Sequence, residues 1–245
     1  CWNSINASRQ LLDSGMKFTG GTPYSDLEMM EQSIDDYIGM DQFHAYYMTF
    51  SGHYVYDFVE NPMCILHQDE VAHLDYSEAV RAYIACHLEL EKAMAYLMEQ
   101  LELAGQLENT VIIGVTDHYT YGYKNMEELY AHSGTTEALL LEKTPCFIWS
   151  ADKPQISVEK PLFTADLVPT MLNLLGINSP YSYLGQDAFD PNYNGYVYFP
   201  DGSWIYNGIV CKVASSGAAT VLENKNNVEV TQELLEGRVG ILVDG

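Results

Sequence analysis

The chain has 245 residues, of which 47% are hydrophobic and 18% charged, a balance typical of a folded globular protein rather than a disordered one. Its formal net charge of −23 excludes nucleic acid as a partner and disfavours binding to an anionic membrane surface. No apolar run is long enough to span a bilayer and no signal peptide opens the sequence, so we expect membrane contact only through segments outside this chain.

Two helices are predicted in the first half of the chain. Residues 26–38 carry apolar side chains at helical spacing, and Ser25 with Glu28 has the spacing of a capping box. Residues 77–104 form the longest predicted helix, which Gly105 ends. The glutamates of this helix, Glu89 among them, are predicted to face solvent.

Apolar runs on either side of the long helix are predicted to be buried strands. Residues 43–50 read FHAYYMTF, and residues 110–116 read TVIIGVT. A strand, a helix and a second strand in succession make a βαβ unit, which predicts a parallel sheet with a right-handed crossover. Residues 144–149 are predicted as a third strand, and residues 166–175 as a helix that ends at Gly176.

The sequence changes character after residue 190. Residues 195–206 are predicted to form a hairpin with Asp201 and Gly202 at its turn, followed by a strand over 209–213 and a helix near 230–236. The predicted fold is therefore α/β, with a mainly parallel sheet flanked by helices over residues 1–190. A small antiparallel appendage of the same domain covers residues 191–245.

Three polar side chains follow the predicted strands. His53 lies in a Ser-Gly-His turn after the first strand, and Asp117 and His118 follow the second. Because ligands bind beyond the carboxyl ends of parallel strands, we expect these side chains at one edge of the sheet. Carboxylate oxygen and imidazole nitrogen together suit a divalent metal ion. Each motif alone also fits a structural role, as a cap or a turn residue.

Several segments, in collinear order, resemble the extracellular catalytic domain of lipoteichoic acid synthase-like proteins. These are sulfatase-like enzymes of the alkaline phosphatase superfamily. The resemblance covers most of residues 1–190. It is carried by residues 43–54 (FHAYYMTFSGHY), 77–104, 110–123 (TVIIGVTDHYTYGY), 143–149 (KTPCFIW) and 165–177 (ADLVPTMLNLLGI).

The resemblance implies a manganese-dependent transferase at the outer face of the cell membrane, with Mg²⁺, Zn²⁺ and Ca²⁺ as alternative ions. Such an enzyme moves glycerol phosphate from the anionic lipid phosphatidylglycerol through a phosphothreonine intermediate. The resemblance assigns Asp117 and His118 to the metal, His53 to the substrate phosphoryl group and Trp2 to the glycerol phosphate site. The family has a Trp-Asn-Arg motif where this chain has Ser4 as the third residue, a departure that bears on glycerol phosphate specificity.

Part of the family's active site has no counterpart in this sequence. The metal-binding Glu and the nucleophilic Thr are expected upstream of Trp2, so the chain alone is predicted to be inactive. Two alternatives remain open. One is a metal-dependent phosphodiesterase, phosphatase or sulfatase that uses water as acceptor. The other is a non-catalytic sulfatase-like module that binds an envelope glycan or a protein.

Overall fold

A computed structural model describes residues 8–235 of the protein, so Trp2, one of the predicted site residues, lies outside the described residues. The α-helices of the described part are α1 Ser8–Asp13, α2 Asp26–Ser33, α3 Pro62–Leu66, α4 Gln68–Val71, α5 Glu78–Leu103, α6 Met126–Ser133, α7 Ala138–Leu141, α8 Leu167–Leu174 and α9 Gln232–Leu235. The strands are β1 Val111–Val115, β2 Cys146–Ser150, β3 Val197–Tyr198, β4 Trp204–Tyr206, β5 Ile209–Val213 and β6 Ala219–Asn224.

The chain divides after Lys153 into two compact units. The boundary after residue 190 that was expected from the sequence stays a prediction. None of the helices within residues 8–235 combines the length and the apolar character that crossing a membrane requires.

The first unit is built around α5, and both ends of this helix follow the prediction. The Ser77 hydroxyl caps the start by accepting the Val80 N–H at 3.2 Å. At the other end Gly105 has φ 68° and donates to the Glu102 carbonyl, while the next N–H donates to the Leu101 carbonyl. The left-handed conformation of Gly105 turns the chain back over the end of the helix. The two N–H groups can then reach carbonyls that the helix leaves free.

The core of the first unit lies between α2 and α5. Helices α2, α3 and α4 all pack against α5. The buried cluster between α2 and α5 consists of Met30, Ile34, Ala93, Leu97 and Leu101. The apolar residues predicted for these two helices therefore meet in one core, as amphipathic helices require.

The predicted parallel sheet is not confirmed. Strands β1 and β2 pair in antiparallel register, with Ile113 opposite Ile148. The prediction that the β1 region is covered on both faces was wrong, because Val111 and Val115 are exposed and the middle residues are half-buried. An apolar run predicts a strand from local sequence, but the pairing partner and the cover depend on the rest of the fold.

Residues 43–50, predicted as a strand, form none in the structure. Phe43 and Tyr47 pack against the α2–α5 core, whereas Tyr46 and Met48 are exposed. The segment is therefore fixed by aromatic packing on helices and not by a hydrogen-bonded ladder. The βαβ unit inferred from this run is absent from the described residues.

Glu89 on α5 is buried, which corrects the prediction that it faces solvent. Its carboxylate accepts a hydrogen bond from the Ser25 hydroxyl and lies 2.6 Å from Nε2 of His67. Nδ1 of His67 is 2.6 Å from the carboxylate of Glu70, which also binds Nζ of Lys92 at 2.6 Å. The helix can bury this acid because groups from two other elements satisfy both of its oxygens.

The second unit holds a four-stranded antiparallel sheet in the order β3-β4-β5-β6. The predicted hairpin is confirmed, with the Gly202 N–H donating to the Phe199 carbonyl at 2.9 Å within its turn. Strand β6 was not predicted.

A buried acid, Asp166, precedes α8 in the same unit. Its carboxylate accepts hydrogen bonds from the Phe163 and Gln186 N–H groups and from the Tyr193 hydroxyl.

Candidate functional site

His53 is exposed at the tip of a tight turn that follows residues 43–50. Its N–H donates to the Phe50 carbonyl at 2.9 Å, and its imidazole stacks on the Phe50 ring, with centroids 4.8 Å apart and planes 10° apart. Nδ1 lies 2.6 Å from the Tyr54 carbonyl, so the neutral ring carries its proton on Nδ1. No described residue hydrogen-bonds to Nε2, which leaves this atom for a ligand.

Asn61 holds the far side of the His53 turn. Its side-chain N–H₂ donates to the carbonyls of His53 at 3.1 Å and Val55 at 2.7 Å. Its side-chain oxygen caps α3 by accepting from the Met63 and Cys64 N–H groups. The turn is thus tied to the start of a helix through one buried amide. The Asn-Pro pair in the sequence is a helix-start signal that identifies the cap, but not its second role.

Gly52 lets the turn approach α5 closely. A Cβ atom added at this position would lie 2.9 Å from Nε2 of His87. His87 is itself held by the Tyr83 carbonyl, 2.7 Å from Nδ1, and by packing on the Tyr83 ring. Glycine is needed here for space rather than for a special backbone conformation.

Asp117 and His118 follow β1 and contact each other. One carboxylate oxygen of Asp117 accepts the His118 N–H at 2.9 Å, and the other lies 3.2 Å from Nε2 of the same histidine. Nδ1 of His118 is 2.8 Å from the Tyr119 carbonyl. Both side chains are exposed, and the imidazole packs against the Tyr121 ring.

The geometry of this pair fits a metal ion. Metal–ligand distances of about 2.1 Å at angles of about 95–110° place two neighbouring ligand atoms about 3.1–3.4 Å apart, which includes the observed 3.2 Å. With its proton on Nδ1, His118 turns a lone pair on Nε2 towards the Asp117 oxygen, an arrangement of two acceptors that a cation can bridge. Within residues 8–235 no cluster of three or more metal-binding side chains occurs, so the pair supplies two ligands.

The His53 turn and the loop after β1 are in contact. The Tyr56 hydroxyl donates to the Gly52 carbonyl at 3.3 Å and accepts from the Thr120 hydroxyl at 3.3 Å. Burial raises the pKa of Tyr56 to about 12, so the hydroxyl stays protonated at neutral pH. Gly122 lies against the ring of Tyr54, where a Cβ atom would come within 2.9 Å of the ring. The structure therefore places the predicted phosphoryl-binding and metal-binding residues on adjoining loops.

A positive charge lies beside these loops. Nζ of Lys124 is 5.8 Å from the centroid of the Tyr54 ring. The interaction with Tyr54 raises the pKa of Lys124, so the ammonium remains charged at physiological pH. In a chain with a net charge of −23, such a group contributes local attraction for an anion.

Residues 9–177 match the family model described as Sulfatase, which is more than half of the chain. The chain belongs to the sulfatase family. Lipoteichoic acid synthases of Staphylococcus aureus, strains USA300 and NCTC 8325 / PS 47, are each 25% identical to it over 206 residues. The alignment covers 78% of this chain and 29% of each relative, so the chain spans less than a third of their length.

A solved structure shares the fold of this sulfatase-family chain. The crystal structure of the lipoteichoic acid synthase LtaP from Listeria monocytogenes superimposes with a TM-score of 0.67 at 19% sequence identity. The match covers 89% of this chain and 57% of the LtaP chain. The three comparisons together confirm the resemblance to lipoteichoic acid synthase-like proteins stated from the sequence.

Among the predicted site residues, His53, Asp117 and His118 lie within the part that matches the sulfatase family, and Trp2 lies outside it. Proteins of this family generally use a divalent metal ion. Two residues of the site were not predicted from the sequence: Asn61, which supports the turn, and Tyr56, which links the loops. No local pattern identifies Tyr56, because its two partners are distant in the sequence or lie within a turn.

Proposed function

We propose that this sulfatase-family chain is part of a metal-dependent transferase of the cell envelope that moves glycerol phosphate from a phosphatidylglycerol-type lipid. The pair of Asp117 and His118, spaced as neighbouring metal ligands and adjoining the His53 turn, is the observation that carries the proposal. The relatives described above are lipoteichoic acid synthases, which supports the same class of reaction.

The residues of the chain divide the chemistry between them. Asp117 and Nε2 of His118 would hold the ion, which we propose to be Mn²⁺, with Mg²⁺, Zn²⁺ or Ca²⁺ as alternatives. A divalent cation supplies neutralising charge for phosphoryl oxygens and lowers the pKa of a bound hydroxyl. His53, in its protonated form, presents an Nε2–H that donates to a phosphoryl oxygen, while the bond from Nδ1 to the Tyr54 carbonyl keeps the ring oriented.

The nucleophile and the remaining ligands of the metal ion would come from other parts of the protein. A threonine hydroxyl and a glutamate carboxylate outside these 245 residues would complete the site, and the chain alone would then be inactive. We place the site at the outer face of the cell membrane, where it meets its anionic lipid, with membrane attachment through segments outside this chain. The small share of each relative that the chain covers is consistent with such a division.

A hydrolase is the second candidate, because the matching family model is described as Sulfatase. Ser4, where the synthase-like motif has Arg, removes a cation that would favour glycerol phosphate. The acceptor separates the two reactions. With the longer protein and a labelled phosphatidylglycerol, transfer to a glycerol-based acceptor supports the transferase, and release of free glycerol phosphate into water supports the hydrolase.

The metal assignment is tested by titrating the chain with Mn²⁺ and measuring free Mn²⁺ by electron paramagnetic resonance. We expect the chain to bind Mn²⁺. Asp117→Asn and His118→Gln should each lower the affinity for Mn²⁺ by about 10-fold or more, because each substitution removes one of the ligands that this chain supplies.

His132→Gln is the matched control, since His132 is another exposed imidazole paired with a carboxylate, its Nε2 being 4.0 Å from Glu128. This variant is expected to bind Mn²⁺ as the unmodified chain does. Mn²⁺ binding that is the same in Asp117→Asn, His118→Gln and His132→Gln would remove the basis of the proposed site.

A further inference from the structure

We propose that Asp26 is a positioning residue for His53: its buried carboxylate fixes the backbone from which the imidazole projects. The inference rests on the proposed function, which assigns His53 to the substrate phosphoryl group. It concerns a residue of α2 that the sequence predicts only as part of a helix start.

The carboxylate of Asp26 holds two consecutive residues of the turn. Asp26 is the first residue of α2 and is 1% exposed. One of its oxygens accepts the Phe50 N–H at 2.7 Å. The other accepts the Ser51 N–H at 3.1 Å and also the Ser51 hydroxyl. Three donors therefore converge on one side chain, and that side chain belongs to a helix packed on α5.

The turn depends on these bonds because no sheet supports it. Residues 43–50 form no strand, so the N–H groups of Phe50 and Ser51 have no ladder partner. Ser51 is 1% exposed, and a buried N–H without an acceptor costs about 1–3 kcal/mol. In this protein a carboxylate takes the place that a neighbouring strand has at the end of a regular β-strand.

Phe50 contacts His53 through both its backbone and its ring. The Phe50 carbonyl accepts the His53 N–H, and the two rings lie nearly parallel with centroids 4.8 Å apart. The Phe50 ring also packs against Tyr24, with centroids 5.7 Å apart. Holding the backbone of Phe50 therefore constrains both the backbone and the ring plane of His53, while Asn61 constrains the other side of the turn.

The hydrogen-bond donors around Asp26 support a positional role. Burial raises the pKa of Asp26, the hydrogen bonds from Ser51 and Phe50 act in the opposite direction, and the nearby Glu89 carboxylate raises it further. An ionised carboxylate at this place is costly to the fold. Its oxygens nevertheless match the three donors of the turn, which a neutral amide does not, since half of an amide is a donor.

The test compares Asp26→Asn with Asp166→Asn in the 245-residue chain. Asp166 is a matched control, because it is also a buried acid that accepts three hydrogen bonds, but it belongs to the other unit. Nuclear magnetic resonance of ¹⁵N-labelled histidines reports the ring of each imidazole, and His53→Gln identifies the signals of His53. We expect Asp26→Asn to shift and broaden the His53 ring signals. The His53 signals should remain unchanged in Asp166→Asn, and the His132 signals should remain unchanged in Asp26→Asn.

Unchanged His53 signals in a folded Asp26→Asn variant overturn the proposal. If that variant does not fold, Ser51→Ala carries the test, because it removes one of the three donors and leaves the carboxylate in place. A smaller shift of the same signals in Ser51→Ala supports the proposal, and unchanged signals overturn it. The measurement needs neither metal nor substrate, so the positioning role can stand or fail separately from the Mn²⁺ titration that tests the proposed function.

Discussion

The hydroxyl of Tyr56 connects the His53 turn to the loop that carries Asp117 and His118 through two hydrogen bonds. It donates to the Gly52 carbonyl on one side and accepts from the Thr120 hydroxyl on the other, each at a distance of 3.3 Å. The ring itself packs edge-on against Tyr83, with centroids 4.9 Å apart, so removal of the hydroxyl alone leaves the packing in place.

Tyr56→Phe is therefore expected to lower the free energy of unfolding by about 1 kcal/mol and to increase amide exchange in residues 117–123. Chemical denaturation and hydrogen exchange measure the two effects. Tyr46→Phe is the control, because Tyr46 is 78% exposed and its hydroxyl has no hydrogen-bond partner in the described part of the chain. Equal exchange in the two variants would mean that the hydroxyl does not link the loops.

At the scale of elements, the helix ends were the most predictable features. Ser77 and Gly105 mark the ends of α5, and the signal for each lies within a few residues. Only half of the predicted capping box at α2 forms. Ser25 accepts the Glu28 N–H as expected, but the Glu28 carboxylate binds the N–H of Thr19. A side chain's choice among distant partners is set by the fold and not by local spacing.

The strands show the limit of local signals. The apolar runs that became β1 and β2 were identified, but residues 43–50 read the same way and formed no strand. A run of apolar residues predicts that a segment is packed, but it does not predict whether the segment packs on a helix or pairs with another strand. The His53 turn and the Asp117 loop were expected at one edge of a parallel sheet; in the structure the two loops adjoin through Tyr56 and Gly122 instead.

Gly185 gives an element-scale prediction for the start of α8. A Cβ atom at this position would lie 2.1 Å from the Ala165 carbonyl oxygen, which belongs to the backbone just before the helix. The backbone cannot move away freely, because Asp166 accepts the Gln186 N–H at 2.7 Å and holds the two segments together. Gly185→Ala is thus expected to lower the free energy of unfolding by about 1–3 kcal/mol or more.

Chemical denaturation followed by tryptophan fluorescence, to which the buried Trp204 of the same unit contributes, measures this loss. Asn178→Ala is the control, since it places the same side chain at an exposed site of the second unit. A Gly185→Ala variant as stable as Asn178→Ala would show that the segment before α8 can shift to admit a methyl group.

At the scale of the whole molecule, the surplus of acidic residues governs the response to salt. The 34 acidic and 11 basic residues give a net charge of −23, and the repulsion among the acids opposes the compact state. Ions screen charges that are more than about 8 Å apart at physiological ionic strength. We expect Tm at neutral pH to rise when NaCl is added from about 10 mM to about 0.5 M.

Differential scanning calorimetry measures this shift, and the same salt series near the isoelectric point of about 4.3 is the control, because the net charge is then small. A rise in Tm that is equal at both pH values would point to a general salt effect on hydration and away from charge repulsion. The charge itself was fully predictable, since it is a property of composition.

Both histidines of the site obtain their orientation from the main chain. Nδ1 of His53 faces the Tyr54 carbonyl, and Nδ1 of His118 faces the Tyr119 carbonyl, so in each case the orienting group is the next residue. A carbonyl belongs to every amino acid, and no substitution at another position can delete it. Each His-Tyr dipeptide consequently carries the acceptor that sets its own tautomer, whereas the loop beneath it is held by other side chains, Asp26 and Asn61 in the case of His53. Protein engineers who move such a dipeptide to a new position would therefore have to rebuild the supports of the loop, but not a separate partner for Nδ1.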